Sequence, residues 1–457
     1  MATHLPVFQP RSSVRADGSR ATVHPADVSG RFTRLRYVLF VVLIAVYALL
    51  PWVHVGGHPA VMLDIEHRRF FLFGNTFNAQ DFWIVFFLLT GVGFALIVLT
   101  TMLGRVWCGY ACPQTVFLEG VYRRVQRLVE GSREKRLRRD AGPWTLDRVA
   151  RKAVAHTAYI VLSLVLAHVF LSYFVSIPAM FQMVRQSPGN HPEAFAWVMS
   201  ITAALYFNFS WFREQLCMII CPYGRLQSAL TDRDTIVVGY DVRRGEPREH
   251  GKEKKEGAGD CVDCNRCVVV CPTGIDIRNG LQLDCVGCAA CIDACDDVMD
   301  KLGRSRGLVR YDSLNGLEGQ PKRVLRGRAY LYAGLGLLGI VVAGLAVGRY
   351  HHFEANLLRM PGDPYVIDGS TLRNQYEIHL VNKQPDAVTF TLEPVAVSGL
   401  SYVLPTRSVR LESLAERRVA VVVLTPVDHA RRATAAVLVH ASGGGETRRV
   451  EAPFLAP

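Results

Sequence analysis

Eight cysteines in the middle of the chain fall into two runs whose spacing has one economical chemistry. Cys261, Cys264, Cys267 and Cys271, followed by Pro272, read C-x2-C-x2-C-x3-C-P. Cys285, Cys288, Cys291 and Cys295 repeat that spacing fourteen residues after Cys271. Three closely spaced thiolates wrap one corner of a cubane iron–sulfur cluster, and in two-cluster chains of this pattern the fourth ligand comes from the other run. The spacing predicts one 4Fe-4S cluster on Cys261, Cys264, Cys267 and Cys295, and a second on Cys285, Cys288, Cys291 and Cys271. Zinc ribbons use paired C-x2-C units rather than triplets, which disfavours zinc. The second run ends Cys295-Asp296 without a proline, a change that costs no ligand.

The other four cysteines carry a different signal. Cys108 and Cys112 with Pro113, and Cys217 and Cys221 with Pro222, are two copies of C-x3-C-P, so these motifs use all twelve cysteines of the chain. If the residues before the proline are helical, cysteines four apart share a face with β-carbons roughly 5–6 Å apart. A disulfide needs ~3.5–4.5 Å, but two thiolates at that separation can converge on one soft ion. Thiolates select Cu(I), zinc or iron–sulfur clusters over harder cations. The proline suits the first turn of a following helix, placing Cys112 and Cys221 at helix N-termini, where the dipole favours thiolate. Cys108, Cys112, Cys217 and Cys221 are therefore candidate catalytic metal ligands, as one four-thiolate site or as two pairs. The competing reading is four small residues packed where helices turn. Met102 and Met218 are further soft side chains nearby in sequence, though methionines of this kind are also ordinary packing residues.

Each C-x3-C-P follows a long apolar run. Five such runs, Tyr37 to Val53, Phe82 to Leu103, Ala153 to Ile177, Phe195 to Phe212 and Ala329 to Val347, approach or exceed the ~17–25 residues of a spanning helix. The first sits behind 36 polar residues with no small-residue cleavage site after it, so it reads as an anchor rather than a signal peptide. Net charge is +12, but its placement argues against nucleic acid. Six Arg lie in the first 36 residues and twelve Lys or Arg between Arg105 and Lys152, against two and one in loops 54–81 and 178–194. That alternation follows the positive-inside rule. It puts the N-terminus, the 104–152 loop and the 213–328 segment in the cytoplasm, where cysteines stay reduced, and the C-terminal 110 residues outside.

The elements divide as a cytoplasmic tail at 1–36, a four-helix membrane domain at 37–228, a cytoplasmic ferredoxin-type domain with linkers at 229–328, a fifth span at 329–347, and an extracytoplasmic domain at 348–457. Loop 54–81 reads as a short hairpin or membrane-surface segment, with His54, His58 and His67 as solvated residues rather than metal ligands. Gln114 to Glu130 reads as a basic amphipathic helix on the inner membrane surface, and 133–139 as a solvated charge run. Gly334, Gly336, Gly339 and Gly344 give the fifth span a small-residue face. Gln375 to Val381, Val388 to Leu392, Arg418 to Thr425 and Thr434 to His440 are strand-like segments at the spacing of an immunoglobulin-like β-sandwich. His156 and His168 lie inside the third span, about 120° apart on a helix, so they do not form a haem pair on one face.

Taken together, Leu72-Phe73-Gly74, Trp107-Cys108-Gly109-Tyr110-Ala111-Cys112-Pro113-Gln114, Cys217 to Gly224, the eight-cysteine module and the C-terminal sandwich resemble the CcoG/FixG/RdxA family of cytochrome c oxidase accessory proteins. The resemblance implies a bacterial inner-membrane protein with two 4Fe-4S clusters, a cytoplasmic electron donor and a periplasmic C-terminal domain. It also implies a cupric reductase that serves assembly of cbb-type cytochrome c oxidase, with copper-handling proteins and oxidase assembly factors as partners. Carried over, the copper ligands are Cys108, Cys112, Cys217 and Cys221. The alternatives are a membrane polyferredoxin exchanging electrons with quinol and a redox partner, and a non-catalytic oxidase assembly scaffold.

Overall fold

The computed structural model describes residues 22–66, 68–78, 82–251, 256–321, 323, 326–347, 352–384, 386–429, 433–442 and 445–456. His67, most of the N-terminal tail and part of the linker before Cys261 lie outside the described residues. The chain forms two compact units, one from Met1–Val53 with Val85–Ala343, the other from His54–Ile84 with Gly344–Pro457.

Five helices are long and apolar enough to cross a membrane. The protein is thus a multi-pass α-helical membrane protein carrying an iron–sulfur domain and a C-terminal β-sandwich. The first span, Arg31–Leu49, begins six residues before its apolar run. A helix start leaves backbone N–H groups without partners, and Gly30 has no side chain to cap them. Asp293 does so from the iron–sulfur domain, accepting from the Thr33 N–H and hydroxyl at 2.7 Å each and from the Phe32 N–H at 3.3 Å. The second span, Phe82–Leu103, stops at Gly104, whose φ of 57° would strain another residue and whose β-carbon position lies 2.7 Å from the Ile236 carbonyl oxygen. The third, Leu146–Leu171, starts at a Thr145 cap and ends six residues earlier than its apolar run, because Ile177–Arg185 turns off as a separate helix with Pro178 in its first turn. The fourth, Pro192–Tyr206, runs on as a π-helical stretch, Phe207–Phe212. The fifth is Gly327–Val347, and of its five glycines only Gly336 approaches a neighbour, Phe94 of the second span.

Residues 113–130 do form helix, broken by a π turn at Leu118–Tyr122, but their burial corrects the expectation of a surface helix. Glu119, Arg123, Gln126 and Glu130 face inward, while Leu128 is 84% exposed. The polar face is buried because its charges find partners across the fold. The 133–139 run likewise is not wholly solvated: Arg136 is buried, donating to the Pro25 carbonyl.

In the iron–sulfur domain, Val237–Tyr240 pairs antiparallel with Val309–Asp312, and the cysteine loops lie between these strands in sequence. The second unit is all β. One sheet orders Ser401–Val403, Glu416–Pro426, Thr371–Asn382 and Phe353–Arg359, with Val366–Asp368 also paired to Thr371–Asn382. The other orders Ser408–Leu411, Val388–Pro394, Ala433–Ala441 and Thr447–Phe454, and alternating residues of both sheets make the core. Loop 54–81 is more ordered than expected: a two-strand ribbon precedes a meander of Val61–Asp64, Arg69–Leu72 and Asn75–Asn78. The Arg69 guanidinium donates to the Leu414 carbonyl of the sandwich at 2.6 Å.

Candidate redox site

Two cavities sit in the iron–sulfur domain. One, with about 360 Å³ of open space, is lined by Cys261, Cys264, Cys267 and Cys295 together with Tyr240, Arg278 and Met299. The other, about 340 Å³, is lined by Cys271, Cys285, Cys288 and Cys291, with Cys267 on the wall between. The first cavity therefore draws three cysteines from the first run and one from the second, and the other draws three from the second run with Cys271 and Cys267 from the first. All twelve cysteines are free thiols, and Cys264 alone among them is exposed. Burial pushes Cys267, Cys285 and Cys295 up to about 12, so the metal-free chain holds these as thiols and metallation displaces their protons. Four sulfurs around a mainly apolar cavity are the donor set a cubane needs, and the residues fit it. Arg278 latches the first cavity by pairing with Asp276 at 2.7 Å and with Asp263.

The two C-x3-C-P copies have matching backbones. Cys112 donates its N–H to the Trp107 carbonyl at 2.9 Å, and Cys221 to that of Leu216 at 2.8 Å, five residues back in each case. Each of these two cysteines then caps a helix that opens with proline, Pro113–Phe117 and Pro222–Leu230. Cys108 lies in the short helix Val106–Tyr110 and Cys217 in the π turn Leu216–Ile220. Burial raises Cys108 to about 11 and Cys217 to about 12, the other three thiols adding to the rise at Cys217. Cys112 is also raised by burial, which outweighs its hydrogen bonds from the Gln114 and Thr115 backbone, against the expectation of a helix-stabilised thiolate. Among the described residues no group of three or more His, Cys, Asp or Glu is arranged to hold one metal ion.

Residues without any motif hold this region together. Gln227, fully buried in the helix after the second C-x3-C-P, donates from Nε2 to Cys108 Sγ of the first at 3.4 Å. Arg105 donates to the Gly224 carbonyl at 2.8 Å, to the Cys285 carbonyl at 3.3 Å, and to that of Leu283. Gly109 packs against the second cysteine run so closely that a β-carbon there would lie 2.9 Å from the Cys288 α-carbon and the Gly287 oxygen. Arg36 of the first span holds the Gly109 carbonyl at 3.0 Å. Below the second cavity, buried Arg123 pairs with Glu119 and with Glu214 at 2.9 Å, and donates to the Pro272 carbonyl at 3.0 Å. Burial alone would raise the Glu119 carboxyl, but Arg123, Arg36 and Arg127 hold it below the usual carboxylate value.

The histidines of the third span are not brought to the thiols. His156 Nδ1 meets the Tyr206 hydroxyl at 2.9 Å, and His168 Nδ1 meets the carbonyl of Leu164 in its own helix at 2.8 Å. Met102 lines an apolar cleft between the second and fifth spans.

Known proteins share this layout. Residues 212–314 match the family model described as "4Fe-4S dicluster domain", residues 84–131 the "4Fe-4S binding domain", and residues 344–457 the "IG-like fold at C-terminal of FixG". The chain is 36% identical to the nitrogen fixation protein FixG of Rhizobium meliloti over 418 residues, covering 82% of this chain and 79% of that protein. It is 37% identical to protein RdxA of Cereibacter sphaeroides over 397 residues (83% and 84%), and 36% identical to protein RdxB of the same organism over 404 residues (84% and 83%). With that identity sustained across membrane, iron–sulfur and sandwich segments alike, the chain belongs to the FixG/RdxA family.

Proposed function

We propose that this membrane iron–sulfur protein is a cupric reductase: it takes single electrons from a cytoplasmic donor and reduces Cu(II) to Cu(I) for the copper centre of cbb-type cytochrome c oxidase. The observation that carries this reading is the packing of partly buried Cys108 against a buried cluster that includes Cys288, Val286 and Ala290, which sets a C-x3-C-P thiol beside a wall of the second cavity. Cys261, Cys264, Cys267 and Cys295 hold one cluster, and Cys285, Cys288, Cys291 and Cys271 the other. When bound, these clusters supply one-electron carriers. Cys108, Cys112, Cys217 and Cys221 bind copper as the substrate. Their soft sulfurs favour Cu(I) over Cu(II), so binding itself makes the reduction more favourable. Each Cu(II) takes one electron, and thiols that bind copper release their protons to water. Gln227 orients Cys108, and no side-chain acid or base is required.

Residues 1–36, the 104–152 loop and the 229–328 segment face the cytoplasm, and 348–457 the periplasm of a bacterial inner membrane. The Lys/Arg map supports this orientation. So does the union of loop 54–84 with the sandwich in one unit, since the two then share a side. Copper-handling proteins and oxidase assembly factors are the partners.

A second reading rests on the 84–131 match to an iron–sulfur binding family, which includes Cys108 and Cys112: electron exchange between quinol and a redox partner, with copper irrelevant. Purified protein with reduced clusters should convert Cu(II) to Cu(I). A variant with Cys108, Cys112, Cys217 and Cys221 all changed to Ala should lose that activity while keeping its iron. Full copper reduction by the quadruple variant would remove the thiol pairs from the mechanism and favour the quinol reading.

A further inference from the structure

We infer that the chain fixes the order of electron flow: entry at the first cysteine cavity, through the face that exposes Cys264, and exit from the second cavity across the backbone contact between Gly109 and Gly287–Cys288. The inference rests on the proposed function for its acceptor, and on three observations for its geometry.

The first is asymmetric exposure. Cys264 of the first cavity is exposed, although Cys261 and Cys267 beside it are buried, whereas no cysteine of the second cavity is exposed. A soluble donor protein comes nearest to the first cavity. The second is asymmetric contact. A β-carbon at Gly109, the residue after Cys108, would lie 2.9 Å from the Cys288 α-carbon and the Gly287 oxygen, and Gly287 has no room for a β-carbon either, its position lying 2.9 Å from the Arg105 oxygen. These mutual glycines bring two backbones together where any side chain would part them. Cys267 lines both cavities, which joins them into one route. The third is the clamp around the contact. Arg105 ties the segment before Cys108 to the Cys285 carbonyl, and Arg36 ties Gly109 to the first span. One electron passes per Cu(II) reduced, supplied by a one-electron carrier protein that is oxidised by one.

Gly109 is the residue to change, because it sits within the helix Val106–Tyr110, where alanine fits the backbone and only the close approach is lost. Gly339→Ala is the control, since a β-carbon there meets nothing within 4 Å. Full-length protein in nanodiscs is reduced with dithionite and mixed with Cu(II). Gly109→Ala should lose the fast phase of cluster oxidation while its iron content and reduced EPR signals match the control. Unchanged kinetics overturn the crossing. Two measurements on the unsubstituted protein stand whether or not the variant folds. With the clusters reduced, Co(II) loaded at the pairs, a paramagnetic thiolate-binding ion that the clusters do not reduce, should speed spin relaxation of the second cluster more than the first, and a soluble nickel chelate should do the reverse. Either pattern inverted overturns the order. If the unsubstituted protein relaxes as described yet never reduces Cu(II), the cupric reductase reading fails while the route stands.

Discussion

Removing Arg123 should release the second cysteine cavity selectively. Its guanidinium is 1% exposed and sits between Glu119 and Glu214, with the Pro272 carbonyl as a third partner. Arg123→Met leaves two buried carboxylates facing each other without their shared cation. Breaking a buried pair by deleting one partner costs about 3–5 kcal/mol, chiefly from the charge left behind. For a large folded unit this lowers the melting midpoint by on the order of 10 °C. Pro272 follows Cys271, so the cluster on Cys285, Cys288, Cys291 and Cys271 should suffer first. Iron should fall by about half as one of two 4Fe-4S centres is lost. The triple variant Arg123→Met, Glu119→Gln, Glu214→Gln removes the stranded charges and should recover most of the midpoint, because buried ion triads tolerate neutral replacement. Melting curves and iron analysis in detergent read both effects. A single variant that melts like the parent with full iron, or a triple variant no better than the single, would refute the reasoning.

Three further expectations follow from other contacts. Cys271→Ser should damage the cluster whose other ligands come from the second run, leaving the EPR signal of the first intact, and the reverse pattern would undo the crossed assignment. Reporter fusions after Asp260 should behave as cytoplasmic and fusions after Tyr365 as extracytoplasmic, so that the same side from both would exclude a fifth span. The segment at 22–30 should loosen in acid: His24 is held below the usual imidazole value by burial above all, with Arg136 adding to the effect and Asp140 at 2.8 Å opposing it. Its contribution to stability is then present above about pH 6.5 and is lost as pH falls through the lower folded value. Hydrogen exchange of 22–30, corrected for intrinsic rate, should rise at low pH, and an equal rise in His24→Gln would rule His24 out.

The chemistry of this chain is written locally, and its assembly is not. Ligand spacing within each cysteine run, apolar runs of spanning length and period-two alternation in the sandwich all lie within a few residues of one another, and each has its counterpart in the structure. Thr371–Asn382 extends the strand expected at 375–381 by a few residues at its start. The polar contacts were illegible. Glu119, Arg123 and Glu130 look like the wet side of a surface helix because their partners, Glu214, Pro272 and Lys152, stand elsewhere in the sequence. Gln227 sits in no motif, and only the fold puts its amide against Cys108. Gly109 is one glycine among 38 until Cys288 is seen beside it.

Asp293 caps the first membrane helix from 260 residues downstream, so the order of synthesis bears on how the protein is born. At about 5–20 residues per second, the ribosome needs roughly 10–50 s to reach Asp293 after finishing Thr33. Throughout that interval the first span must sit in the membrane with its leading amides open to water. The iron–sulfur domain arrives to find that end waiting, and closes it only when Ala290–Lys301 has folded as a helix with Asp293 in its first turn. The helix that carries Asp293 also carries Cys291 and Cys295, so one element both closes the membrane anchor and lines the two cysteine cavities.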